Sequence, residues 1–119
     1  MTKQPDDDFA RSWLKYQDHQ TDGDEWAVFE LQDLILDDKG RAVRAVAWLI
    51  EVAESEWHLT MIGVGPLEDL LNLYGPSIIA DLEPIVFDKD KLMRTLRGVV
   101  PGNPEVESAL NEIIKRDHT

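Results

Sequence analysis

Apolar residues recur along this chain at intervals of three and four, the period of an α-helix. Phe9, Trp13 and Tyr16 share one side of a first helix. The acids of “PDDD” precede it, where carboxylates cap free N–H groups and meet the positive end of the helix dipole. Residues 1–8 are expected to be a frayed end, and “DHQTDG” (18–23) a loop. A second helix is expected from about 24 to 37, with Ala27, Val28, Leu31, Leu34 and Ile35 on one arc. “DDKG” (37–40) then forms a turn. A third helix, about 41–54, is apolar over most of its circumference, as a central helix must be.

In “SEWHLTMIGVG”, Trp57, Leu59 and Met61 alternate, which suits a short strand. No other strand could pair with it, so an extended or loosely helical connection is expected. A fourth helix follows from 66 to 74, ended by Gly75 and Pro76. A fifth, from Ser77, uses Ile78, Ile79 and Leu82, and Pro84 should kink or end it. A sixth, about 89–98, uses Leu92, Met93 and Leu96. Asn103 caps a seventh, with Pro104 in its first position and a stripe of Val106, Ala109, Leu110, Ile113 and Ile114. The expected architecture is all-α: one domain over 1–119, with six or seven short helices whose short loops make neighbours antiparallel.

“IGVGPLEDLLNLYGP” (62–76) is the most distinctive stretch. A dinucleotide loop would need a third glycine where Glu68 stands, and a phosphate loop needs Gly-Lys-Ser/Thr, which is absent. Glu68 and Asp69 would also place negative charge where a bound anion would sit. The expected role is a structural cap: Gly65 before the helix, Pro66 opening it, and Glu68 returning to its free N–H groups. The segment “GVGPLEDLLNLYG” resembles the signature of an uncharacterised bacterial family of small helical proteins, a domain of unknown function with a Gly-x-Gly-Pro-Leu-Glu-Asp-Leu-Leu segment. Trp26, the helix of 41–54 and “LMRTLRGV” (92–99) also match, so the resemblance covers about 24–100. Val64 and Tyr74 stand where such proteins often carry Ala and His. The resemblance implies a helical fold and bacterial origin, and brings no activity.

Charge narrows the partners. The formal net charge is −12. Residues 88–119 carry 6 acids and 6 bases, so the first 87 residues hold the whole excess. Such a field repels nucleic acid and anionic membranes and attracts basic proteins, though it also serves solubility. There is no cysteine, the N-terminal residues lack the apolar run of a secretory signal, and “AVAWLI” is too short to span a bilayer. A cytoplasmic protein is expected.

Candidate chemistry is sparse. His19, His58 and His118 lack metal-ligand spacing and are expected to be solvated. An EF-hand counted from Asp18 fails at its twelfth position, Phe29. The acids of 6–8 could at most gather a divalent ion weakly, and a capped terminus is the expected role. No serine lies in a nucleophile elbow. No enzyme, cofactor or metal is expected.

Two faces carry more information. Trp26, Glu30, Asp33 and Asp37 fall within about 60° of one another, opposite the core arc of the second helix. An aromatic among carboxylates suits an anchor for a basic protein partner; the plainer alternative is a Trp packed under another helix with a solvated acidic rim. Lys91, Arg94 and Arg97 form a small basic face, expected to pair with the acidic half. The leading functional expectation is a non-enzymatic acidic binding domain, an inhibitor or immunity protein covering a basic partner. The alternative is a structural or regulatory subunit of a homo- or hetero-oligomer. The acids are too irregularly spaced for a nucleic-acid mimic.

Overall fold

The computed structural model describes residues 5–20 and 22–117, and within them every regular element is helical. The elements are α1 (Pro5–His19), a 3-10 turn (Asp22–Asp24), α2 (Glu25–Asp37), α3 (Lys39–Val52), α4 (Glu56–Ile62), a π turn (Gly63–Leu67), α5 (Glu68–Tyr74), α6 (Ser77–Leu82), α7 (Lys89–Arg97) and α8 (Pro104–Asp117). The segments α4, π turn and α5 run without interruption, so they form one continuous rod. Counted that way, the described residues hold seven α-helices.

Helix α1 packs on α2 and α3, and the α4–α5 rod leans on α7. Phe9 meets Trp26 and Lys15 meets Asp24, the order expected of antiparallel neighbours. The core gathers Leu31, Leu49, Ile50, Ile62, Leu70 and Leu96, all essentially without solvent contact. Helix α3 is its centre, contributing buried side chains from Ala42 to Ile50. Burial of such stripes, more than helix propensity, stabilises helices this short.

Several sequence expectations meet the structure directly. Gly75 adopts φ 90° after α5, a conformation that favours glycine, and its N–H donates to the Leu71 carbonyl. Helix α6 stops two residues before Pro84. Asn103 Oδ1 accepts from the Val106 N–H at 3.0 Å, opening α8.

Other expectations are corrected. Helix α1 includes residues 5–8, placed by the sequence in a frayed end, and residues 1–4 lie outside the described ones. Asp18 and His19 belong to α1 rather than to a loop. The turn at 37–40 shrinks to Asp38, whose N–H donates to the Leu34 carbonyl while its carboxylate accepts from the Arg41 N–H. One aspartate thus closes α2 and opens α3.

The segment around Trp57 is neither strand nor loose connection. Ser55 caps α4 by accepting from the His58 N–H at 3.1 Å, and Glu56 occupies the first turn.

The cap reading of Gly65, Pro66 and Glu68 is also overturned. Gly65 and Pro66 lie inside the continuous rod, and no helix begins there. Pro66 cannot donate to the carbonyl four residues back, and in an α-helix its ring would press on that carbonyl. The wider π turn relieves this clash. Glu68 reaches outward instead: its Oε1 accepts the Val100 N–H at 3.1 Å. One turn on, Asn72 Oδ1 accepts the Gly102 N–H at 3.1 Å. Together these side chains hold the loop between α7 and α8.

Candidate functional site

Helix α2 has two usable faces. Ala27, Leu31 and Ile35 are buried against the core. The opposite arc carries Trp26, Phe29 and Leu36, exposed by 44, 56 and 70%. Among them stand Glu30, Asp33 and Asp37, all exposed. None of these three carboxylates makes an ion pair among the described residues. Trp26 is held by an edge-on contact with Phe9, ring centroids 6.5 Å apart, which leaves its other side open.

The sequence brought forward Trp26 and the acids but overlooked Phe29 and Leu36. The signal was available: at 100° per residue both fall beside Asp33, well off the core arc. The plainer alternative placed Trp26 beneath another helix; instead it remains half open.

The C-terminal end of α2 is anchored. Tyr74 donates its hydroxyl to the Ile35 carbonyl at 2.5 Å. The Lys39 ammonium lies 5.5 Å from the Tyr74 ring centre and 3.6 Å from Asp81. The exposed arc therefore sits on a helix fastened at its far end.

Two hollows flank this arc. On one side, Trp26 and Glu30 join Phe9, Arg41 and Arg44 around a cleft of about 490 Å³ between α1, α2 and α3. On the other, Leu36 and Leu73 border a groove between α2 and α5 that also contains Asp69. Burial, and Glu68 beside it, push the Asp69 carboxyl above its ordinary value.

The basic face of α7 does not answer the α2 acids. Arg94 pairs with Glu56 at 2.9 Å and Asp90 at 3.1 Å, and Lys91 donates to the Glu51 carbonyl at 2.7 Å. These contacts hold α7 against the ends of α3 and α4.

His58 is buried, contrary to the expectation of a solvated histidine. Its Nδ1 accepts the Glu54 N–H at 3.3 Å, so its proton sits on Nε2, which lies 3.0 Å from both Asp18 carboxylate oxygens. Both ring nitrogens are therefore engaged within the fold. Beside this pair, Trp57 donates its indole N–H to the Gln17 carbonyl at 3.2 Å. The two contacts fasten the end of α1 to the start of α4. They join residues 40 positions apart, which local pattern cannot foresee. His19 is exposed, and His118 lies outside the described residues.

Among the described residues, no three His, Asp or Glu side chains are grouped to hold a metal ion. Asp6 and Asp7 side chains lie outside the description. No helix among the described residues is long and apolar enough to cross a membrane.

Comparison with curated proteins and with solved structures gives no match. A family of unknown function matches residues 15–116, a span that includes all of α2 and both walls of the groove beside α5. It is wider than the 24–100 suggested by the resemblance and leaves Phe9, the packing partner of Trp26, outside. The chain belongs to the Family of unknown function (DUF6869).

Proposed function

We propose that this domain binds a basic protein through the exposed face of α2, as an inhibitor or immunity-type partner that covers it. The carrying observation is the apolar triplet Trp26, Phe29 and Leu36, left exposed among three carboxylates that make no ion pair among the described residues. Large apolar side chains clustered on a surface mark sites of association, and aromatic anchors dominate the energy of protein interfaces. The acidic rim and the net charge of −12 favour a cationic partner and steer its approach. A second copy docked face to face would instead oppose like charges. Nucleic acid, anionic membranes and catalysis have no role in this reading.

The test begins with capture of proteins from the native host on the immobilised chain, followed by purification of the captured protein. The expected partner is basic. Reversing Asp33 and Asp37 to Lys should slow association and flatten its salt dependence, while Trp26→Ala should speed dissociation. Adding the wild-type chain should suppress the partner's own activity. A partner indifferent to all of these changes overturns the α2 reading; one bound through α2 with its activity intact overturns the inhibitory role.

A further inference from the structure

The groove beside α2 reaches inward to the π turn. Its inner part, about 150 Å³, is lined by Trp13, Gln17, Met61, Gly65 and Pro66. Its outer part, about 470 Å³, is lined by Leu36, Asn72 and Leu73. Gln32, Ile35 and Asp69 line both, so the two parts form one groove running from the π turn to the exposed face of α2.

Gly65 is the informative residue. Its backbone is helical without positive φ, and beyond its chain neighbours and its own helix's backbone a Cβ built on it meets no atom within 4 Å. Packing against the rest of the fold does not demand glycine; a helical residue just before Pro66 does favour it, because the proline ring crowds a Cβ on the preceding residue. Gly63, two positions earlier, differs: its Cβ would stand 2.5 Å from the Thr95 carbonyl oxygen. What Gly65 does provide is an open groove wall, since any larger side chain would project into free space there.

Among the described residues, Asp69 is the only charged one lining either part of the groove. Among the described residues it has neither an ion pair nor a side-chain hydrogen bond. The adjacent Glu68 is turned away to the Val100 N–H, and residues 66–87 contain no Lys or Arg. Asp69 is exposed at the groove, bordered by Leu36, Leu73 and Met61, and no Lys or Arg among the described residues pairs with it.

We infer that this groove seats a short segment of a basic protein, with a Lys or Arg against Asp69 and a neighbouring apolar side chain between Leu36 and Leu73. The inference rests on the proposed basic partner and extends its footprint from the α2 face across to the π turn and α5. The amide of Gln32 stands on the same wall and offers hydrogen bonds to the backbone of a docked segment.

The probe is a library of random short peptides displayed on phage and selected on the wild-type chain. Enriched peptides should carry Lys or Arg close to a large apolar residue. Their affinity should fall about tenfold or more in Asp69→Asn, which removes the charge at constant shape, and in Gly65→Leu, which fills the wall. Asp69→Asn keeps the test decisive if Gly65→Leu folds poorly. No enrichment, enriched peptides without a cation, or peptides held equally well by folded Asp69→Asn overturns the inference. Peptides lost in both groove variants but indifferent to Asp33→Lys/Asp37→Lys support the groove even if the α2 face fails. A host partner lost on that reversal but indifferent to Asp69→Asn and Gly65→Leu overturns the groove and leaves the α2 face standing.

Discussion

A Cβ on Gly63 would stand 2.5 Å from the carbonyl oxygen of Thr95, so the rod and α7 touch backbone to backbone at the π turn. Gly98 closes the same crossing from the other side, where a Cβ would lie 3.8 Å from Thr60. Because the obstacle at Gly63 is main chain, it cannot swing aside as a flexible side chain would. Gly63→Ala should cost about 1–3 kcal/mol through overpacking. Gly65→Ala should cost less than Gly63→Ala, since its Cβ meets no other element of the fold and crowds only the Pro66 ring. Urea melts of the two variants give the comparison. Equal midpoints would show that the crossing is not as tight as the backbone indicates.

The buried His58 gives a second stability test. Asp18→Ala leaves the Nε2 proton without its acceptor in a buried position and should cost about 1–3 kcal/mol. Hydrogen exchange should rise at the end of α1 and the start of α4 before it rises in α3. Unchanged exchange at Trp57 and His58 would mean that the pair does not fasten these helices.

Asp69 should affect stability in the direction opposite to a paired carboxylate. Folding raises its affinity for a proton, so the folded chain binds more protons than the unfolded chain as pH rises past the ordinary value of 3.8. Stability from this group is therefore lost as pH rises from the ordinary value through the folded-state value, and its cost is complete above the latter. Asp69→Asn should be modestly more stable than wild type at pH 7, and the advantage should vanish at pH values below 3.8. Thermal melts across that range decide the sign. A variant less stable at pH 7 would imply a stabilising partner for this carboxylate.

The exposed arc of α2 should be dispensable for folding. Phe29→Ser and Leu36→Ser each remove a largely exposed side chain, and stability should stay within about 0.5 kcal/mol of wild type. Leu31→Ala, on the buried side of the same helix, should cost about 2–5 kcal/mol. Comparable losses on both sides of α2 would show that its outer arc is part of the core.

Local sequence was sufficient for much of this fold. The 3.6-residue recurrence of Leu, Ile and Val gives an all-helical chain, because each stripe must be buried and only helices align it. Gly75, Pro84 and the Asn103–Pro104 pair set boundaries through their own backbone constraints, which act over a few residues. The outward placement of Trp26, Glu30, Asp33 and Asp37 followed from the same period. Phe29 and Leu36 lay on that arc too, but their hydrophobicity drew no attention to a surface.

Tertiary structure decided the rest. Pro66 opens a helix under local rules, yet here the rod passes through it as a π turn crossing α7 where Gly63 permits backbone contact. Glu68 has a nearer use at a helix start, but its carboxylate goes to Val100, and His58 finds Asp18 across the fold. Such outcomes depend on which helices meet, and residues 32 to 40 positions apart leave no mutual trace in a local period. For the same reason the groove could not be foreseen: α1, α2, α4, the π turn and α5 all supply its walls, and it exists only where they pack.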